Sequence, residues 1–399
     1  MGDFFGDGLL LSGQTAQNIY DGIKDLPIID YHCHLDERAI AEDRHFSGLG
    51  ELWLAGDHYK WRAMRLCGVS EDYITGSRSY REKFLRYAEI MPRLIGNPLY
   101  YWTHMELKSL FGIDIPLNAA SAGEILSEAD AKLANMSVGS LLKKFRVEYI
   151  ATTDDPMKEL KYHGVIDGVK VCPTFRPDRC FKEGIDRGLL ETRLDYFISK
   201  GCRIADHGFD FVDAGNEDLR WLIEQCYRKG IVLQLHFGTF RNINSGAFSS
   251  IGADAGFDVF RASVDTDALA RILDEELQKL GGLPQIILYP LNDNSLRALA
   301  AISGAFPNVL IGAAWWFNDT VCGIRRQMET VSEYAAFGTQ LGMLTDSRSF
   351  SSYVRFDFYR RLLADFIAAK VDAGEYDRDS AASLAADVAY NNVRRLIYG

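Results

Sequence analysis

Cysteine pairs, long apolar runs and an excess of basic charge are all missing from this chain. Its seven cysteines (Cys33, Cys67, Cys172, Cys180, Cys202, Cys226 and Cys322) are odd in number and scattered, with no CxxC pair. That excludes a disulfide framework and a thiolate zinc site. No stretch approaches the 18 or more apolar residues of a membrane span. The first residues carry Asp3 and a short apolar run, Leu9 to Leu11, without the basic segment of a secretory signal. A cytoplasmic protein with no membrane partner is therefore expected. Acidic residues outnumber basic ones, 55 to 44, for a net charge of −11. Nucleic acid is not an expected partner, because phosphates need clustered Lys and Arg. A few local arginines can still hold a small anion. Low-complexity segments, long linkers and solenoid-length repeats are also lacking.

What the chain has is size and rhythm. With 399 residues, 47% of them hydrophobic, it can bury a large core. Eight short apolar runs end in polar or aromatic clusters: Pro27–His32, Val147–Thr153, Val169–Phe175, Cys202–His207, Ile231–Phe237, Gln285–Leu291, Val309–Trp316 and Leu341–Asp346. Amphipathic segments such as Leu189–Lys200, Asn216–Lys229, Asp265–Lys279 and Leu296–Ala305 lie between them. Buried strands alternating with helices signal parallel βα units, and eight units close a (β/α)₈ barrel of the α/β class. An open doubly wound sheet is the competing architecture, but no Gly-rich phosphate loop follows the first run. About 110 residues separate the first two runs, far too many for a βα loop. They read as mostly helical (Ser79–Ile90, Ala122–Lys132, Ser137–Lys144) and aromatic-rich. The expected division is residues 1–34 (an N-terminal helix and strand 1), a helical insertion 35–146 over the barrel mouth, and the rest of the barrel with C-terminal helices, 147–399.

Catalytic groups of such barrels gather at the C-terminal ends of the strands. His32 and His34 end the first run at i and i+2, so they face one side and suit a divalent metal. Two hydrogen-bonded core histidines would give the same HxH. Asp346 ends the eighth run, beside the first in a closed barrel, which makes it a third ligand; capping the next helix is its alternative role. His207 and His236 also end runs and could be further ligands or proton carriers. Arg176 and Arg348 present planar forks for a carboxylate, although either could be a structural ion pair. In the insertion, His58 and Tyr59 could form a proton-transfer pair, or simply pack.

Several motifs resemble the uronate isomerase (glucuronate isomerase) family of the amidohydrolase superfamily. They include Asp30-Tyr31-His32-Cys33-His34, Ala55 to Arg62, Thr152-Thr153-Asp154-Asp155-Pro156 and Phe175-Arg176-Pro177-Asp178. Further along are Ala205-Asp206-His207-Gly208, Gln234-Leu235-His236-Phe237-Gly238 with Arg241-Asn242, Ala314 to Asp319, Gly342 to Phe350, and Tyr390-Asn391-Asn392. The matches run in order over nearly the whole chain. The resemblance implies a metal-dependent (β/α)₈ barrel that interconverts D-glucuronate with D-fructuronate and D-galacturonate with D-tagaturonate. It implies one divalent metal, zinc, on His32, His34 and Asp346. Substrate would be engaged by Arg176, Arg348, Trp316, His236 and Asp206, with Tyr59, His58, Asp346 and Arg348 catalytic. A homo-oligomer is the expected assembly. Two departures stand out: a contraction between Arg179 and Leu194, and Phe356 where a histidine is expected.

An enediol isomerisation needs a base near C2, an acid–base group near C1 and stabilisation of the oxyanion. Tyr59 assisted by His58 would carry the carbon-bound proton, its phenol lowered by a nearby cation. The rival readings are a mononuclear metal-dependent hydrolase on the same scaffold, acting on another carboxylated substrate, and a catalytically silent sugar-acid binder.

Overall fold

A computed structural model describes residues 4–209, 215–261 and 264–399. Seven parallel strands hydrogen-bond in chain order to form a curled sheet. They are β1 (Ile28–Cys33), β2 (Val147–Asp154), β3 (Val169–Phe175), β4 (Ile204–Phe209), β5 (Val232–Phe237), β6 (Ile286–Pro290) and β7 (Val309–Ile311). Apolar side chains alternate between two environments, as the two-residue period of a strand demands. Ile29, Tyr31, Tyr149, Cys172, Ile204 and Tyr289 fill the interior of the curl. Phe175, Leu233, Leu235 and Leu288 face the surrounding helices instead.

The last two runs depart from the expected strands. The seventh pairs through Ile311, with one further hydrogen bond from Gly312 N–H to Leu288 O at 2.9 Å, and Gly312 lies against the Tyr289 ring, where a Cβ would come within 1.9 Å of a ring carbon. Trp315 then stacks on Tyr289 at 4.4 Å. The eighth, Leu341–Asp346, is extended but forms no ladder. It meets the end of β1 through hydrogen bonds from Asp346 N–H to His32 O (3.0 Å) and from His34 N–H to Ser347 O (2.9 Å). The Asp30 carboxylate accepts from the Thr345 N–H at 3.0 Å. The curl thus returns to its first strand at the mouth.

Seven helices lie between β1 and β2, with boundaries set by local chemistry. Ser79 and Ser137 each form a reciprocal capping box, and Asp57 accepts the Tyr59 and Lys60 amides at the start of the His58–Leu66 helix. Trp53, Phe84, Tyr87 and Phe111 pack in one apolar cluster with Phe358 and Leu362 of the Val354–Asp372 helix. Phe356 is 3% exposed in that cluster, so the position expected to hold histidine is apolar here. After β5 the chain makes an unforeseen excursion. Thr239–Phe240 pairs antiparallel with Val259–Phe260, and a short helix, Ser245–Ile251, lies between. Arg62 clips this excursion to the His58–Leu66 helix by donating to the Asp258 carbonyl at 2.8 Å. Among the described residues, no helix is long and apolar enough to cross a membrane.

Candidate functional site

The HxH pair owes its direction to a bulge. Asp30 and Cys33 of β1 face Ile150 and Thr152 of β2, three steps against two. The extra residue lets Tyr31 fill the barrel interior while His32 still turns to the mouth. His32 Nε2 and His34 Nε2 lie 3.5 and 3.2 Å from Asp346 Oδ1. One donor atom from each residue fits within 4.8 Å. Asp346 adopts a left-handed backbone (φ 47°), which swings its carboxylate out of the extended run toward the imidazoles.

Second contacts set the state of these donors. The Gln234 amide donates from Nε2 to the Tyr31 carbonyl (3.3 Å), so its Oε1 faces His32 Nδ1 at 3.0 Å. The neutral His32 ring therefore carries its proton on Nδ1 and turns a lone pair on Nε2 into the cluster. That Nε2 is buried without a hydrogen-bond partner, as a metal ligand would be. Burial pushes the His34 imidazole down to about 4, which keeps it neutral at pH 7. Burial opposes ionisation of Asp346, yet its contacts with His32 and His34 outweigh that and hold its carboxyl well below the usual range. Burial opposes protonation of His32, but the Asp206 and Asp346 charges push its imidazole up, so a proton and a cation compete for its Nε2; with the cation bound, two neutral imidazoles and a carboxylate would form the donor set.

Around this cluster lies a cavity of about 330 Å³, lined among others by Arg176, His236, Trp316 and Arg348. Arg176 follows β3 and is braced by Asp178 (Nε to Oδ2, 3.0 Å) and Asp206 (Nη1 to Oδ2, 3.2 Å). His236 Nε2 stands 3.4 Å from Asp206 Oδ1. A Cβ on Gly208 would lie 2.4 Å from the His236 ring, so only glycine leaves that ring its place. Trp316, another left-handed residue (φ 52°), carries the Arg241 guanidinium 5.2 Å above its ring.

Two expected positions differ. Asp206, expected against substrate, is wholly buried and absent from the lining; it anchors Arg176 and His236 from behind. Burial opposes its ionisation, but His236 and then Arg176 outweigh that and hold its carboxyl below the usual range. His207 turns away to hydrogen-bond Asp178 through Nδ1, and packs on Phe181 and Phe209. Adjacent strand residues face opposite sides, so His207 and Asp206 could not share the mouth.

The insertion brings His58 to the cavity wall, where Arg348 Nη1 lies 3.3 Å from its Nδ1. Arg348 Nη2 donates to Asp254 at 2.9 Å. Tyr59 lines an adjoining cavity of about 160 Å³, which shares His58 and Trp316 with the first. Its hydroxyl donates to Asp319 Oδ2 at 3.1 Å. Burial and the Asp319 charge raise the phenol well above 10, the reverse of the lowering expected from a nearby cation.

Sequence reasoning passed over the roles of Gln234, Trp315, Asp254 and Asp319. Gln234 had a signal: it is the lone amide in the apolar strand Val232–Phe237. Asp254 had none, since it meets Arg348 from the excursion, 94 residues away.

Comparison with known proteins adds to this geometry. The sequence profile of a family described as glucuronate isomerase matches residues 1–188 and 216–397. A uronate isomerase from Oceanobacillus iheyensis is 38% identical, over 99% of this chain and 98% of that protein. The alignment runs over 464 positions against 399 residues here, so this chain is the shorter. The solved uronate isomerase from Thermotoga maritima superposes with a TM-score of 0.94 at 30% identity, covering 100% of both chains. The glucuronate isomerase from Caulobacter crescentus does so with 0.90 at 27%, over 98% of this chain and 96% of that one.

Proposed function

Because the chain belongs to the glucuronate isomerase family, we propose that its barrel-mouth cavity interconverts D-glucuronate with D-fructuronate and D-galacturonate with D-tagaturonate. Uronate isomerases are aldose–ketose isomerases, and this chain is one of them. The observation that carries the residue-level reading is a single cavity whose wall holds both the His32–His34–Asp346 cluster and the forks of Arg176 and Arg348. A substrate with a carboxylate at one end and a carbonyl at the other needs both.

A divalent cation on His32, His34 and Asp346, for which zinc is the best match to this donor set, would polarise the substrate's carbonyl and neighbouring hydroxyl. The protein's own groups do the rest. Arg176, fixed by Asp178 and Asp206, and Arg348, set between His58 and Asp254, take the uronate carboxylate. Asp346, held ionised, accepts a hydroxyl proton. Tyr59 carries the proton between C2 and C1, with His58 packed at a tilt against its ring at 4.9 Å. With its phenol raised, Tyr59 works as a hydrogen-bonded hydroxyl and not as a free phenolate. His236 and Trp316 orient the hydroxyls between the two ends.

The test is discrimination by charge. The protein should turn over D-glucuronate with a kcat/KM at least about 1,000-fold above D-glucose, since the sugar lacking the carboxylate forgoes the charge-assisted hydrogen bonds to Arg176 and Arg348. Arg348→Met should remove most of that ratio. Equal turnover of both sugars, or a ratio unchanged in Arg348→Met, contradicts the assignment of the arginines.

A further inference from the structure

Asp319 ends the aromatic motif that begins at Ala314, and no step above uses it. It is 1% exposed, and one of its oxygens, Oδ1, has no hydrogen-bond partner. The other oxygen accepts the Tyr59 hydroxyl at 3.1 Å. Arg355 Nη1 lies 3.8 Å from that same oxygen, and its guanidinium sits 5.0 Å over the Tyr59 ring. Arg355 also donates to the Thr345 carbonyl at 2.8 Å, one residue from Asp346. Partly buried Tyr59 and buried Asp319 and Arg355 thus form a triad beside the reaction cavity.

We propose that Asp319 is the proton store of Tyr59: as the Tyr59 hydroxyl takes the carbon-bound proton of the uronate, its own proton passes to Asp319 Oδ2. The inference rests on the isomerase reading and on Tyr59's part in it. The C–H electron pair stays on carbon and becomes part of the enediolate. The released proton bonds to Tyr59 Oη, the former Oη–H bond breaks, and that proton forms a neutral Asp319 carboxyl. One negative charge has moved from Asp319 to the enediolate, which the cation site and the arginines face. The return step delivers a proton from Tyr59 to the neighbouring carbon, and Asp319 restores it. No outside reagent is consumed.

This removes the difficulty that Tyr59 is a poor base by itself. A phenol raised well above 10 cannot hold a useful population of phenolate at neutral pH. Asp319 can take up the charge difference, because burial pushes its carboxyl up to about 7 against the pull of Arg355. A proton acceptor poised near the working pH is the efficient one. The charged and titratable groups that bear on Asp319 are Tyr59, Arg355 and, at longer range, Asp346. Asp319 acts through Tyr59 and is a positioning residue in that sense.

The experiment compares Asp319→Asn with Tyr59→Phe in the metal-replete protein, measuring kcat and KM for D-glucuronate across pH. Asparagine keeps the shape and still accepts from Tyr59, but cannot take its proton. Asp319→Asn should lower kcat by about 100-fold, the usual worth of a general acid–base group, with KM changed less than about twofold. Wild-type kcat should fall below about pH 7 as Asp319 becomes protonated, and this acid limb should vanish in the variant. A merely structural role would lower kcat without moving the limb. Wild-type kcat with no acid limb overturns the proposal even if the variant does not fold. So does Asp319→Asn retaining wild-type kcat or its acid limb while Tyr59→Phe is inactive. If Tyr59→Phe turns over normally, the reading of Tyr59 fails first, and the inference with it.

Discussion

Replacing Gln234 by methionine tests how the cation cluster is built. The swap nearly conserves volume, so it opens no cavity, but it removes two buried hydrogen bonds. One is Oε1 to His32 Nδ1 at 3.0 Å, the other Nε2 to the Tyr31 carbonyl at 3.3 Å. His32 is 1% exposed with Trp315 packed 4.5 Å from its ring, so water cannot replace the lost acceptor. An unsatisfied buried donor costs about 1–3 kcal/mol, and the metal-free protein should lose stability on that scale in urea. The imidazole can also escape by moving its proton to Nε2, which abolishes the ligand. Loss of a partner that orients a metal-binding histidine costs about 10–100-fold in affinity, or about 1.4–2.7 kcal/mol. Competition against a chromophoric zinc chelator reads this directly. An affinity within about twofold of wild type would refute the claim that Gln234 sets the His32 tautomer.

Other outcomes follow from the same geometry. Gly208→Ala drives a Cβ into the His236 ring and should cut turnover while leaving the metal on His32, His34 and Asp346; unchanged kinetics would contradict the close approach. Gly312→Ala should destabilise by about 1–3 kcal/mol through overpacking against Tyr289, read in urea denaturation. His34 is depressed from 6.5 to about 4 by burial, so between those values the unfolded chain binds a proton that the native chain refuses. The stability of the metal-free protein minus that of its His34→Asn variant should therefore fall as pH drops from 6.5 toward 4, and a difference that stays constant between pH 7 and pH 5 would contradict it, because the raised carboxyls of Asp30 and Asp319 act alike in both proteins.

The barrel was legible because its runs are short, apolar and regularly spaced, and six of the eight form strands close to where periodicity puts them. The last two escaped because their geometry depends on tertiary contacts. Beyond Gly312 the seventh run folds Trp315 onto Tyr289, and Leu341–Asp346 is held by hydrogen bonds to β1 with no ladder of its own. His32, His34 and Asp346 stand together as their strand positions implied, yet the bulge that turns His32 to the mouth has no signature in a single sequence. Asp206 and His207 show the opposite failure. Adjacent residues at one strand end both looked like site residues, and the alternation of the strand puts Asp206 behind the cavity and His207 outside it. Asp254 and Asp319 reach the site from other elements, so their partners were not legible from local pattern.

Proton NMR of D-glucuronate and D-galacturonate in D₂O, with the metal-replete protein and again after chelation, reads metal-dependent isomerisation itself. An isomerase of this kind gives new ketose signals from the replete protein, lost on chelation and recovered when one equivalent of metal is restored. Uronate spectra that stay unchanged with the metal-replete protein would contradict that activity.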